Sequence, residues 1–539
     1  MQFSLRLVLF VFLATFLLSA LIGALISYNP ALAWSRFAAI TVGVGLCVLF
    51  AETPEHLRVR SQNTFPLMSA VLALLPTALF VYFVATNDWT NRLGKVTWLD
   101  PLMSWFATWQ PKLPGLWIDT NSLGGALAML IPLQVVAVWR ARALMRIMAG
   151  FLVFVSLFGL VLSASRGAWI AFGLVAWIAA MWLVLERVMP GWRSGQTRIV
   201  IWIALVAYLA LTIGIAIAFT PLGVWMLSEG GGHWLIARNS FDLVTDYPFT
   251  GIGLGTFTMA YSSYILLVHV PHTIHAHNLF LDIWLEQGLL GLVAFAGLIG
   301  IAVFNQSDSR WRFAGLASLG VMLIHGLLDD AFYGYGAGTL ALMLIPLGIL
   351  ARESSMRMIP APRRLAPVLA GALALLIALI VLVPTMRATI EADLGALAQT
   401  RAELSVYEWP RYSFQDQLRR NGIVDLKPAV AHYQNALALD STNATANRRL
   451  GQIELSLGHY DAAHRYLDAA YASAPQHVAT RILLGELYAL DNQPNQAIAL
   501  WQNLDMNFNS LQTRLWWYEF IGDQDRLQKL RQATQKVKN

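Results

Sequence analysis

The 539 residues are 57% hydrophobic and 13% charged, with a mean hydropathy of +0.55, against about 45–50% and about 25% in soluble domains. The charges are uneven, with 21 Lys+Arg and 15 Asp+Glu in residues 1–386 and 16 of each in residues 387–539. A single soluble globule is excluded, and so is nucleic-acid binding as the main activity, because the whole +6 excess lies in the apolar part. The lone cysteine, Cys47, sits in an apolar run and excludes an internal disulfide, a thiolate zinc site and an iron–sulfur cluster.

A bilayer-crossing helix needs about 20 mostly apolar residues. Candidate spans fall near 5–27, 31–51, 65–86, 121–140, 147–164, 168–186, 199–219, 288–305, 313–331, 334–351 and 365–386. The first has the pattern of a signal peptide around Arg6, but with ten spans behind it a retained anchor is the plainer reading. The expected architecture is all-α: a polytopic membrane bundle of about 11 spans over 1–386, followed by a soluble helical repeat domain over 387–539.

Arginine placement sets the expected orientation. With a cytoplasmic N-terminus, one side collects Arg58, Arg60, Arg140, Arg142, Arg146, Arg187, Arg193, Arg198, Arg310, Arg312, Arg352, Arg357, Arg363 and Arg364. The opposite loops hold only Arg92, Lys95, Lys112, Arg166 and Arg238. That asymmetry is the positive-inside bias. It predicts residence in a bacterial inner membrane and puts the segment after Arg387 in the periplasm.

In that last segment Leu450-Gly451 recurs as Leu484-Gly485 and Ala463 as Ala497, both at an interval of 34. With Tyr460, Pro475 and the upstream Ala429, the period is that of a tetratricopeptide helix–turn–helix repeat. Such an array serves either as a docking surface for a partner or acceptor, or as a brace packed on the membrane part. The expectation carried forward is the first: a tail that positions an acceptor without supplying catalytic groups.

Polar residues in an apolar body need a reason. The longest loop, about 220–287, holds Arg238, Asp242, Asp246 and four histidines, His269, His272, His275 and His277. Pro271 breaks this run and its spacing is not that of two helical zinc ligands, so no metal site is expected. His277-Asn278 opens an amphipathic helix that leads into a span, where the helix N-terminus favours a neutral imidazole base. Arg166, in Ser163-Ala164-Ser165-Arg166-Gly167, either snorkels to the interface or grips phosphate oxygens. Together with Arg238, these residues on one face suit a phosphorylated lipid whose headgroup faces outward. Gly251-Ile252-Gly253-Leu254-Gly255 lacks the strand and helix of a nucleotide loop and reads as a structural turn.

Three segments carry a resemblance: Ser165-Arg166-Gly167-Ala168-Trp169; Arg238 with Pro248-Phe249-Thr250-Gly251-Ile252-Gly253-Leu254-Gly255 and Phe257; and His275-Ala276-His277-Asn278-Leu279 with Gly288-Leu289-Leu290-Gly291. Together, with His325-Gly326-Leu327-Leu328-Asp329, they resemble the O-antigen ligase/polymerase superfamily of bacterial membrane glycosyltransferases. The resemblance covers about residues 5–386. It implies transfer of an undecaprenyl-diphosphate-linked glycan, with no nucleotide sugar, metal or other cofactor. It makes His277 the catalytic base and Arg166 and Arg238 the diphosphate contacts, and leaves His275 and Asp329 as candidates to support the base or meet the acceptor. The simple ligases generally lack a repeat tail, so the acceptor stays open among a lipid core, a growing chain and a protein hydroxyl. A polysaccharide polymerase and a protein O-oligosaccharyltransferase therefore remain as alternatives. A glycolipid transporter is the rival from another class, and it is disfavoured by the lack of internal duplication and of midplane charge.

Overall fold

The computed structural model describes residues 5–52, 64–86, 94, 97–109, 118–188, 230–304, 310–330, 332–333, 337–354, 382–408, 413–502, 504 and 509–538. The expected spans at 199–219 and, up to 381, at 365–386 lie outside these residues. So do loop residues 220–229 and Arg58, Arg60, Arg92, Lys95, Lys112, Arg193, Arg198, Arg357, Arg363 and Arg364.

The first part is a helix bundle: α1 (Leu5–Ile26), α2 (Pro30–Ala51), α3 (Thr64–Thr86), the short α4 (Asp100–Trp109), α5 (Thr120–Arg140), α6 (Ala143–Leu162) and α7 (Arg166–Val188). After α8 (Gly230–Val244), α9 (Phe257–Ile265) and the two-residue strand β1 (Val268–His269) come α10 (Leu279–Phe304) and α11 (Arg310–Leu328). Seven of the described helices, α1, α2, α5, α6, α7, α10 and α11, are long and apolar enough to cross a membrane. Helix α5 is the hub. It starts at an Asp119 cap on the Ser122 N–H, and it is the most enclosed of the seven, packed among α3, α6, α7 and α11.

Two features depart from a simple row of spans. The segment expected as one helix at 334–351 is a short α12 (Ala337–Leu340), a turn and α13 (Ile345–Ser354). Pro346, at the second position of α13, has no N–H to continue an upstream helix and restricts the residue before it. Helix α10 is kinked at Gly288, which has φ +68° and ψ −174°. A side chain there would collide with the Phe249 carbonyl, because the glycine-rich segment presses into the kink. That segment is fastened as a turn: Ile252 N–H donates to Leu285 O (2.6 Å), Leu254 N–H to Gly23 O (2.9 Å) and Gly255 N–H to Glu286 Oε1 (3.0 Å). Glu286 in turn pairs with Arg36 of α2 at 2.6 Å.

The second part is a set of helix pairs. Helix α14 (Pro384–Ser405) continues through β2 (Ser413–Phe414) and α15 (Gln415–Arg420), and pairs with α16 (Lys427–Leu439). There follow α17 and α18 (Ala444–Leu457, Tyr460–Ser473), α19 and α20 (Val478–Leu490, Pro494–Trp501), and α21 and α22 (Asn509–Phe520, Gln524–Lys538).

The first helices of these pairs face the 244–269 segment of the same chain. Strands β1 and β2 pair antiparallel, with Val268 opposite Phe414. Thr513 Oγ1 donates to Leu266 O (2.5 Å), Gln415 Nε2 donates to Ser263 O (2.8 Å), and Tyr264 Oη meets His477 Nε2 (2.9 Å). The apolar core beneath is shared: Tyr261, Tyr264 and Leu267 pack in one cluster with Leu483, Leu487 and Trp517. The repeat surface that could hold a foreign peptide is thus covered in cis.

Candidate active site

The site is assembled from helix ends. Ser163 closes α6, and its hydroxyl donates to Leu160 O (2.7 Å) while accepting the Ser165 N–H (3.3 Å). This turn delivers Arg166 as the first residue of α7. Gly167 follows because a side chain there would press on the His325 ring, with Cδ2 2.9 Å from the added carbon. Gly326 plays the matching part on α11, which approaches the start of α10 so closely that an added carbon would lie 2.8 Å from Leu279 Cβ. These two glycines bring the Ser-Arg-Gly turn, the end of α11 and the start of α10 together.

At that junction His277 Nδ1 lies 2.7 Å from Asp329 Oδ1. Both side chains are largely enclosed, at 15% and 7% exposure. Asp329 Oδ1 also accepts the Asp330 N–H (2.9 Å), and Oδ2 accepts Asn121 Nδ2 (2.9 Å) from the first turn of α5. His277 has a positive φ of 52°, an uncommon state for a residue with a side chain. It is followed by Asn278, whose Oδ1 accepts the Phe280 and Leu281 N–H groups, both at 3.1 Å, and so caps α10.

His275 sits beside it, with Nδ1 accepting the His277 N–H at 3.2 Å. Burial pushes the His275 imidazole down to about 3, with smaller contributions of both signs from nearby charges, so it is neutral. His233 of α8 stacks on His277, ring centroids 3.8 Å apart and planes 13° off parallel. Its pKa is also lowered, chiefly by burial, then by His277, with a smaller contribution from Arg166.

The four loop histidines therefore separate. His275 and His277 meet at the site, while His272 stacks on Tyr261 and buried His269 lies 3.7 Å from Glu403 of α14. Three ligand-type atoms of His233, His277 and Asp329 fall within 4.8 Å of one another, as do those of His275, Asp282 and Asp330. In the first set, the contact of His277 with Asp329 is a hydrogen bond that leaves its other nitrogen for chemistry.

Of the residues singled out in sequence, Arg166, His275, His277 and Asp329 converge. Arg238 does not join them through any described contact; it is exposed on α8 and acts on the charge of Asp242, one turn along. His233 and Asn121 were not foreseen. Their signal was faint: a histidine after Gly230-Gly231-Gly232, and an amide in the first turn of an otherwise apolar helix.

Residues 151–296 match the family model described as O-antigen ligase, and residues 454–510 match the tetratricopeptide-repeat model. No curated protein and no solved structure gives a significant match. The chain thus joins an O-antigen ligase-type segment, which points to glycosyl-transfer chemistry of the ligase or polymerase kind, to tetratricopeptide repeats.

Proposed function

We propose, taking the O-antigen ligase match over 151–296 as the premise, that the protein moves a glycan from undecaprenyl diphosphate to an acceptor hydroxyl. It does so in the bacterial inner membrane, with the N-terminus cytoplasmic and the repeats periplasmic, as the arginine bias requires. The membrane part ends near residue 386 and the repeat part follows from 387.

The reading rests on the 2.7 Å contact between His277 Nδ1 and Asp329 Oδ1. With the Nδ1 proton held by the carboxylate, Nε2 keeps its lone pair and serves as a general base. Nε2 takes the proton of the acceptor hydroxyl as the oxygen attacks the anomeric carbon. The bond from that carbon to the diphosphate oxygen breaks, and the electron pair leaves with undecaprenyl diphosphate. Asp329 balances the imidazolium. Arg166, the arginine whose charge reaches the histidine stack, neutralises the leaving diphosphate, and Arg238 supports it from the headgroup side. None of these steps calls for a metal ion.

The test is reconstitution of the purified chain in liposomes with the lipid-linked glycan and lipid, glycan and protein acceptors. His277→Ala should cut transfer by about 10²–10⁴-fold with the fold unchanged; full transfer by a folded variant refutes the assignment. Mass spectrometry of glycans from a deletion strain then selects the acceptor. Loss of long chains with single units still attached marks a polymerase. Loss of all attachment marks a ligase, and loss of glycopeptides marks a protein glycosyltransferase.

A further inference from the structure

Behind the His277–Asp329 pair lies a pair of carboxyl groups that the transfer step does not use. Asp282, in the first turn of α10, and Asp330, directly after Asp329, are 2% and 1% exposed. A carboxyl oxygen of one lies within 4.8 Å of a carboxyl oxygen of the other. Asp282 Oδ1 accepts the Ala276 N–H (2.9 Å), and Asp330 Oδ1 accepts the Phe332 (3.0 Å) and Tyr333 (2.7 Å) N–H groups. The Oδ2 atom of each is buried and meets no donor among the described residues.

Ionised carboxylates only accept hydrogen bonds, so two of them buried this close are relieved by a proton held between them. Two like charges that close repel strongly away from water. Among the described residues the charge of Arg36 reaches Asp330 and offsets only part of that repulsion. Arg36 of α2 is committed to Glu286 at 2.6 Å. His275 is neutral, and its Nδ1 lone pair is taken by the His277 N–H, so Nε2 carries the hydrogen and cannot ligate a metal ion in that tautomer. Asp329 adds a further negative charge and Tyr333 adds none.

We propose that Asp282 and Asp330 share one proton at neutral pH and act as positioning residues for the His277–Asp329 pair. Each carboxyl holds one half of that pair by its backbone. Asp282 fixes Ala276, the residue before His277, whose positive φ needs outside support. Asp330 donates its N–H to Asp329 Oδ1, the same oxygen that faces His277 Nδ1. The shared proton closes the ring between the two chain segments. Its loss at alkaline pH sets the carboxylates against each other and draws base and carboxylate out of register. The positioning role rests on the reading of His277 as base; the shared proton does not.

The experiment is infrared spectroscopy of the full chain in lipid, with Asp282→Asn and Asp330→Asn measured beside it. The carbonyl stretch of one un-ionised carboxylic acid should be present in the wild type at neutral pH, and each single replacement should remove it. An amide takes over the donor role, so the remaining carboxylate needs no proton. In transfer assays Asp282→Ala and Asp330→Ala should lower kcat by about 10²-fold, as a displacement of the base by about 1 Å would, with KM little changed. The asparagine variants should recover most of that loss and lack the alkaline fall of the wild-type pH profile. Absence of such a band from the wild type overturns the proposal, as does stoichiometric divalent metal that either replacement releases. If the replacements do not fold, the wild-type band decides alone, since it must fade as pH rises. A confirmed band with kinetics indifferent to all four variants leaves the shared proton standing and overturns the positioning role, while His277→Ala tests the base itself.

Discussion

Two buried charge assemblies in this chain are built in opposite ways. Where the repeats meet the 244–269 segment, Asp246 is wholly buried against Arg448 and Arg449, with Thr445 as a further donor. Arg449 also reaches Tyr247 Oη (2.7 Å), and Tyr247 bonds Thr400 (2.6 Å). Deeper in, Arg514 bridges Asp416 and Glu486, and Arg419 bonds Glu403. Every one of these charges has a geometric partner, which is what keeps a buried ion pair from costing stability. At the His277–Asp329 pair the carboxylate is saturated, but the imidazole keeps a nitrogen with no described hydrogen-bond partner. Saturated charge holds the fold, and spare capacity marks the place where chemistry can occur.

Breaking the saturated side should have the largest effect. Asp246→Ala strands two buried guanidinium groups and should cost about 3–5 kcal/mol, read as a lower melting temperature and protease release of the repeat region. Transfer should fail with it at every acceptor concentration. A variant that loses efficiency only at low acceptor concentration would restore the recruiting role that the sequence suggested for the tail. The covered repeat surface favours the brace, and Asp393 strengthens it by accepting the Phe249 and Thr250 N–H groups at 2.8 and 3.1 Å.

On the other side, Asp329→Asn should leave stability nearly intact while lowering kcat by about 10²-fold or more, because an amide can hold the wrong imidazole tautomer. Equal losses of stability and rate would place Asp329 with the structural charges. Arg166→Lys and Arg238→Lys sharpen the assignment further. The Arg166 charge reaches the histidine stack whereas that of Arg238 acts on Asp242, so the Arg166 variant should lose about tenfold more in kcat/KM, a difference of about 1.4 kcal/mol. Parity between them would mean that the donor itself draws Arg238 in.

The smallest effect is a slope. His477, at the repeat interface, is pushed down to about 3 by burial and then by Arg448, as His275 is by burial. A lowered histidine stays neutral in the folded chain while the unfolded chain takes up a proton near pH 6.5. Stability contributed by both is therefore complete above that point and declines as pH falls toward about 3. Burial would raise Asp246, but its two arginines outweigh it and hold the group well below the usual carboxylate range, so its share is lost at still lower pH. Melting curves at pH 7 and pH 5 should show the decline, and His477→Gln should flatten part of it.

Much of this is legible in the sequence. Helical periods and apolar runs located most of the described spans to within a few residues, because a bilayer-length helix is a local property of about 20 residues. Helix α10, however, begins nine residues before the expected 288, and 334–351 is broken. The 34-residue recurrence of Leu-Gly and Ala located the repeats for the same reason. His277 stood out at the start of an amphipathic helix that leads into a span, and Asp329 only through the resemblance of His325-Gly326-Leu327-Leu328-Asp329 to a superfamily element.

What the sequence determined by itself was therefore whatever depends on neighbours in the chain: spans, repeats, caps, and the candidacy of single residues. What only the tertiary structure decided was which of those residues meet. The break in 334–351 had a local cause in Pro346, yet nothing local showed that the kink at Gly288 would take in the glycine-rich turn. Nothing in the spacing of four histidines separates the two that share a site from the two that pack elsewhere. Nor does a repeat pattern tell whether its groove faces solvent or the chain's own α9–β1 segment. Asn121 and Asp329 stand 208 positions apart, and Asp246 and Arg448 stand 202 apart. Contacts of that separation follow from packing, where small residues such as Gly167 and Gly326 allow helices to close in, and no one-dimensional pattern encodes them.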